Sequence, residues 1–285
     1  MTLDGMTAIV TGAAAGLGRA EALALAAQGA TVVVNDITEA TGTVDEIEAA
    51  GGKAVAVAGD VGERATADAL VETALGLGGL DIVVNNAGVL RDRMLFSMSD
   101  EDWDLVLKVH LRGHFLLSRN AAKYWRDKSK MDGKPVYGRL VNTASEAFLA
   151  GSPGQPNYAA AKAGIASLTV STARGLHKYG VRANAICPRA RTAMTEGVFG
   201  AAPAEGADPL SVDHVAPFVA YLASPAAEAI NGQVFVVHGG MVALMAPPRI
   251  EQRWSVDDLA TGVTGYFAVR DPGLMFAATE ILGES

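Results

Sequence analysis

Seven short runs of β-branched residues recur along this 285-residue chain, separated by longer stretches with apolar side chains at helical spacing. That alternation constrains the fold more than any other feature. The runs are 7–11, 31–35, 53–58, 81–85, 138–143, 181–186 and 233–237. Their near-continuous apolar character predicts strands covered on both faces. Ala/Leu-rich stretches such as 19–28 and 64–77 read as helices between them. Gly29, Gly51 and Gly78 stand where a helix C-terminus needs positive φ, and Ser99-Asp100-Glu101-Asp102 reads as a capping box. Strand–helix alternation over so much of the chain predicts one doubly wound, seven-stranded parallel sheet with helices on both faces. Half the residues are apolar and 19% are charged, which supplies a core and excludes intrinsic disorder.

Two segments break the pattern within what reads as a single domain over 1–285. Residues 189–210 contain small residues, prolines and scattered apolar side chains, so a mobile substrate flap and an ordinary long loop both remain open. Residues 241–285 continue as a tail, with a helix expected around 256–263 and Met241–Met245 expected as core or pocket lining. The net charge of −8 gives no support for a nucleic-acid or anionic-membrane partner. A single cysteine, Cys187, cannot form an internal disulfide; it reads as a packed residue and fits a reducing compartment. No basic segment followed by an apolar stretch opens the chain, and no apolar run approaches the ~20 residues of a membrane span. A cytoplasmic protein acting on a small molecule is the expectation.

The first predicted strand runs into Thr11-Gly12-Ala13-Ala14-Ala15-Gly16-Leu17-Gly18. Glycines at this spacing let the backbone turn tightly and approach a pyrophosphate, which the next helix N-terminus stabilises. Glycine is common here, 32 residues, so the pattern gains meaning only from its place between first strand and first helix. Asp36 ends the second strand, where a carboxylate accepts hydrogen bonds from ribose hydroxyls and repels a 2′-phosphate. No arginine or lysine stands beside it, so the reading favours NAD over NADP. Gly59-Asp60-Val61 and Asn85-Asn86-Ala87-Gly88 follow the third and fourth strands, at the strand ends where open α/β sheets bind ligands.

The strongest chemical signal is Tyr158-Ala159-Ala160-Ala161-Lys162. Residues four apart share a helix face, so the ammonium can lie near the phenol and lower its pKa from the usual ~10 toward acid/base work at neutral pH. Spacing alone does not decide the matter, because Tyr124 and Lys128 repeat it on what reads as a charged helix end. Ser145, thirteen residues before Tyr158 and just after the fifth strand, separates the two. Its hydroxyl can orient a substrate oxygen toward Tyr158.

Together these residues resemble the short-chain dehydrogenase/reductase family from about Leu3 to Gly240, including Val237-His238-Gly239-Gly240. The resemblance implies a Rossmann-type sheet, with Ser145 orienting substrate, Tyr158 as acid/base, and Lys162 binding the nicotinamide ribose while tuning Tyr158. It further implies that Gly12, Gly16, Leu17, Gly18, Ala87, Gly88 and Pro188 contact the cofactor. Asp60 and Val61 would lie by the adenine, Asn86 on the adenosine side, and Ile186 with Thr192 by the carboxamide. A homodimer or homotetramer is implied as well. Two positions depart from the family. His110 replaces an asparagine whose backbone carbonyl holds a relay water, and Pro188-Arg189 replaces Pro-Gly. His110 is therefore expected to act through its carbonyl.

The run from Trp103 to Gly113, with Gly154–Tyr158 and Thr192–Glu196, is similar to one branch, the dehydrogenase part of the peroxisomal multifunctional β-oxidation enzyme. That similarity implies an NAD-dependent oxidation of a 3-hydroxyacyl thioester. A hydroxysteroid or other bulky alcohol stays open as substrate, and a non-catalytic dinucleotide sensor should show a broken Ser/Tyr/Lys set. In the thioester reading Met194, Val198 and Phe199 would cover an acyl chain. Arg189 and Arg191 would either meet carrier phosphates or face solvent. His114, His177, His214 and His238 show no metal-ligand spacing.

Overall fold

The structure, a computed structural model, describes residues 2–195 and 200–271. The elements run β1 (Thr7–Thr11), α1 (Gly16–Ala27), β2 (Thr31–Asp36), α2 (Thr41–Ala49), β3 (Lys53–Ala58), α3 (Arg64–Gly76) and β4 (Ile82–Asn85). They continue as α4 (Asp100–Leu107), α5 (Gly113–Asp132), β5 (Gly138–Thr143), α6 (Ala147–Ala150), α7 (Pro156–Leu176) and β6 (Val181–Pro188). The last are α8 (Ala216–Ala223), β7 (Val234–His238), β8 (Met241–Leu244) and α9 (Thr264–Val269). The sheet order is β3-β2-β1-β4-β5-β6-β7-β8. The order reverses between β1 and β4, which opens a crevice at the carboxyl ends of those strands.

Side-chain alternation explains why helices cover both faces. Ala8 and Val10 of β1 join one core with α1, α2 and α8, whereas Ile9 between them joins the other with α3 and α5. Val32 and Val34 against Val33 of β2 divide in the same way. Ser99 caps α4 by accepting from the Asp102 N–H at 3.1 Å, and Gly29, Gly51 and Gly78 follow their helices with φ of 98°, 82° and 119°. Among the described residues no helix is long and apolar enough to cross a membrane.

The sheet extends one expectation. The seven parallel strands are there, but an eighth is added at the edge, because β8 pairs antiparallel with β7. Gly239 and Gly240 have φ of 51° and 86°, the pair of left-handed positions that a two-residue hairpin turn requires. Met241 thus opens a strand rather than a tail. The helix expected around 256–263 begins as a 3₁₀ turn at Val256–Asp258, passes through a π turn at Leu259–Val263, and becomes α9 only beyond it.

One core position violates the apolar pattern. Glu21 lies on α1 between Leu17 and Leu25, is 0% exposed, and has no hydrogen-bond partner for either carboxyl oxygen. Burial pushes its pKa up to about 8, with Lys162 opposing. The folded state therefore holds a proton that the unfolded chain gives up near pH 4.5. Stability from this group is complete below that value and is lost as pH rises through about 8, at up to ~1.4 kcal/mol per unit. Glu21→Gln is expected to leave Tm nearly unchanged at pH 5 and to raise it increasingly toward pH 9. Thermal unfolding across that range checks it.

Candidate active site

The crevice is built first from backbone. Gly12 and Gly16 turn the chain from β1 into α1 with φ of 67° and 55°, conformations that side chains disfavour. Crowding excludes a side chain as well. A Cβ on Gly12 would stand 2.8 Å from the Ala87 Cα, and one on Gly18 would collide with the Gly12 carbonyl oxygen. Asn86 braces the turn: its Nδ2 donates to the Thr11 and Gly12 carbonyls at 3.0 and 3.2 Å. Asp36 closes the far side, accepting from the Ala14 N–H at 3.0 Å and the Ile37 N–H at 2.7 Å. Asp60 accepts from Gly62 N–H at 2.8 Å and lies 2.9 Å from the Lys108 ammonium. Burial raises the Asp60 carboxyl, but those two donors outweigh it and hold the group below its ordinary value.

Gly12, Gly16, Leu17, Asp36, Asp60, Val61, Asn86, Ala87, Gly88, Pro188 and Thr192 line one cleft of ≈ 530 Å³, and Tyr158, Lys162 and His110 line its other end. Gly18 lies beneath, in the packing of α1. Ile186, expected by the carboxamide, is fully buried within β6 and gives its carbonyl to the Ala144 N–H at 2.7 Å. The cradle of close backbone approaches, with a carboxylate at its edge, fits a dinucleotide.

At the other end, Pro156 opens α7 and Asn157 fixes its first turn. Asn157, fully buried, accepts from the Tyr158 N–H at 2.8 Å and donates to the Arg91 and Asp102 carbonyls at 3.0 and 3.1 Å. Lys162 is 2% exposed and donates to the Thr143 carbonyl at 2.6 Å; its Nζ lies 5.4 Å from the Tyr158 ring centroid. Ser145 stands beside the cleft lining, where its hydroxyl acts to lower the phenol's pKa, while its Oγ accepts from the Ala147 N–H at 3.1 Å. Burial pushes the Tyr158 pKa up to about 12, against the Ser145 hydroxyl, and pushes Lys162 down to about 7. The sequence predicts a lowered tyrosine; in this chain by itself desolvation raises it instead. Tyr124 and Lys128, with the same spacing, lie elsewhere, on α5: Tyr124 packs against the core that α5 forms with α3, and Lys128 pairs with Asp132 at 3.3 Å.

His110 sits in a π turn, Lys108–Arg112, that joins α4 to α5. Its ring packs on Gly88, where a Cβ would collide with Cε1, and edge-on against Tyr158 at 5.1 Å between centroids. Nε2 lies 2.9 Å from the Val89 N–H and 2.8 Å from its carbonyl oxygen, accepting from the one or donating to the other with the tautomer, and burial lowers the imidazole pKa to about 3. The His110 carbonyl accepts from the Gly113 N–H and faces the buried His114 ring. The imidazole is therefore a neutral packing and hydrogen-bonding group across the physiological range.

Arg189 and Arg191 are each engaged in an ion pair within the chain. Arg189 forms a two-point pair with Glu146 at 2.7 and 2.9 Å, both side chains 11% exposed. Arg191 pairs with Asp208 at 2.9 Å, and its N–H meets the Leu210 carbonyl at 2.6 Å, which closes the base of the 189–210 segment. Neither faces solvent unpaired. Met194 lines the cleft, whereas Val198 and Phe199 lie outside the described residues. Asn157 and Glu146 were not singled out by sequence. Asn157 had a signal, an Asx-type residue directly before the helix that carries Tyr158; the partner of Glu146 is 43 residues away and had none.

The family model described as short chain dehydrogenase matches residues 6–201. A hydroxyacyl-CoA dehydrogenase, ChsB1, of Mycobacterium tuberculosis is 62% identical over 298 residues, which covers 98% of this chain and 94% of that protein. Peroxisomal multifunctional enzyme type 2 of Mus musculus is 41% identical over 256 residues, 85% of this chain but 33% of the longer enzyme. A crystal structure of a short chain dehydrogenase from Mycobacterium avium superposes with a TM-score of 0.84 at 45% identity, covering 95% of this chain and 98% of that one. Cleft, cradle, Ser/Tyr/Lys cluster and these matches lead to one conclusion: the chain belongs to the short chain dehydrogenase family, oxidoreductases that use a nicotinamide dinucleotide.

Proposed function

We propose that this chain is an NAD-dependent dehydrogenase that interconverts a 3-hydroxyacyl and a 3-oxoacyl thioester carried on coenzyme A. The observation that carries the reading is the convergence of Tyr158, Lys162 and Ser145 at one end of a cleft whose other end is the glycine cradle with Asp36. The substrate class is supported by the name of the M. tuberculosis relative, a hydroxyacyl-CoA dehydrogenase that matches nearly end to end. Gly12, Gly16, Leu17, Ala87 and Gly88 hold the dinucleotide through close backbone approach, Asp60 and Val61 flank its adenine side, and Asp36 takes the adenosine ribose. Pro188 and Thr192 flank the nicotinamide end. When bound, the coenzyme supplies the hydride acceptor and, in its oxidised form, a positive charge.

In this reading Ser145 donates to the substrate oxygen and holds it against Tyr158, whose hydroxyl gives or takes the proton. Moving the phenol from about 12 to near 8 needs roughly 5 kcal/mol of differential stabilisation. Its sources are the Ser145 hydroxyl and positive charge in a dry site, where each counts for more than in water. Lys162, protonated, is the chain's own source of that charge. Met194 borders the acyl side. A dimer or tetramer of identical chains is supported by the exposed Trp103 and Phe115, 39% and 42%, on α4 and α5. The buried thiol of Cys187, raised to about 12 by burial, fits a cytoplasmic setting.

Tyr158→Phe keeps ring and packing while deleting the transferable proton. kcat is expected to fall by ~10² or more with NADH Kd little changed; near wild-type turnover would refute the assignment. Asp36 predicts a preference for NAD over NADP of at least ~10-fold in kcat/KM, or roughly 1.4 kcal/mol, and Asp36→Ala should narrow it. For the substrate, a 3-hydroxyacyl-CoA should exceed a truncated thioester of the same acyl group by at least ~10-fold in kcat/KM, because binding of the remote carrier assists reaction at the hydroxyl. Equal rates for the two, alongside faster oxidation of a hydroxysteroid, would move the bulky-alcohol reading ahead.

A further inference from the structure

Ser145 lies between two crosslinks that join the ends of β5 and β6. Before it, the Ala144 N–H donates to the Ile186 carbonyl at 2.7 Å, the continuation of the strand pairing that ends at Thr143 and Ile186. After it, Glu146 grips Arg189 at 2.7 and 2.9 Å through Nε and one terminal nitrogen. The two carboxyl oxygens and the guanidinium fork fix direction as well as distance, which a single contact does not. Arg189 is itself anchored, since its N–H donates to the Val237 carbonyl at 3.0 Å and so ties the pair to β7.

The local side-chain hold on this loop is one bond, from the Ala147 N–H to the Ser145 Oγ at 3.1 Å. Glu146 opens α6, a helix of 4 residues, far too short to be stable alone. Phe148 and Leu149 of α6 pack beside a small core that includes Ala144, Cys187 and Val236. That contact is apolar and sets no angle. The nearly buried ion pair is the long-range directional element on the α6 side of Ser145, beside the local Ala147 bond to its Oγ, and its loss would leave a charged group in surroundings that disfavour it.

We infer that the Glu146–Arg189 pair is a positioning device for the reaction, holding the Ser145 hydroxyl at the distance and angle from Tyr158 that the substrate oxygen requires. The inference rests on the reading of Ser145 as the group that orients the substrate. Arg189 touches neither substrate nor coenzyme in it and acts through Glu146 and the backbone of Ser145. A displacement of about 1 Å at such a group costs on the order of 10²-fold in rate.

The test is a cycle of variants assayed with a 3-hydroxyacyl-CoA and NAD, with coenzyme Kd and Tm measured alongside. Arg189→Met is expected to lower kcat by at least ~10-fold while NADH Kd stays within ~3-fold. Arg189→Lys keeps the charge, gives up the fork, and should fall between wild type and Arg189→Met. If the methionine variant does not fold, the lysine variant carries the cycle. In a Ser145→Ala background the Arg189 substitution should lower the residual rate by less than ~2-fold, because a device that acts through the hydroxyl has nothing left to position. A purely structural pair would cost the same factor in both backgrounds, and that result overturns the inference, as does a wild-type kcat for the Arg189 variant. If Ser145→Ala alone keeps the wild-type rate, the fault lies in the reading of Ser145, and this inference falls with it.

Discussion

A chain of contacts without room for one added carbon links the coenzyme cradle to the acid/base end of the cleft. Gly12 stands against Ala87, Gly18 against the Gly12 carbonyl, Gly88 against the His110 ring, and that ring against Tyr158. The turn after β1, the segment after β4 and the π turn between α4 and α5 are thereby stacked in direct contact. Asn86 and Val89 add hydrogen bonds at two of these junctions. Close packing of this kind transmits displacement rather than absorbing it. A methyl group at Gly88 would therefore be felt first at His110 and then at Tyr158, although Gly88 carries no chemistry.

The second constraint is dryness. Burial drives each ionisable group at this end toward its neutral form: Tyr158 up to about 12, Lys162 down to about 7, His110 down to about 3. Their directions follow from desolvation, not from the partners that the tyrosine–lysine spacing suggests. Such a site is poor at holding charge and for the same reason responsive to it, since a charge brought close is little screened. Glu21 belongs to this balance. It and Lys162 each favour the other's charged form, although they lie on helices far apart in sequence.

Sequence reading worked wherever the cause is local. Strand limits at Thr7–Thr11, Lys53–Ala58 and Gly138–Thr143 follow from β-branched runs bounded by turn residues, and the structure places them there. The cap at Ser99 and the glycine turn at Gly12 are equally local, each set by a few neighbouring residues. β8 was legible in principle, since two consecutive glycines between Val237 and Met241 are a hairpin signal. Those glycines end the stretch that resembles the family, and the residues beyond them read as a tail.

What sequence could not supply is which distant groups cancel one another. Arg189 and Arg191 read as cations available to a ligand because nothing nearby in sequence neutralises them, yet their partners stand 43 and 17 residues away. The same limit explains the tyrosine. A lysine four residues on is visible and its effect has a known sign, but the opposing desolvation depends on α7, β5 and the π turn closing together around the phenol. A local pattern therefore names the reacting groups, while their protonation and alignment are set by contacts the pattern does not contain. In this chain those contacts are concentrated at the ends of β5 and β6, where Thr143, Ser145, Glu146, Pro188 and Arg189 lie within a few residues of two paired strands. Ser145 thus follows directly on a strand pairing of 6 residues between β5 and β6, as long as any in the sheet.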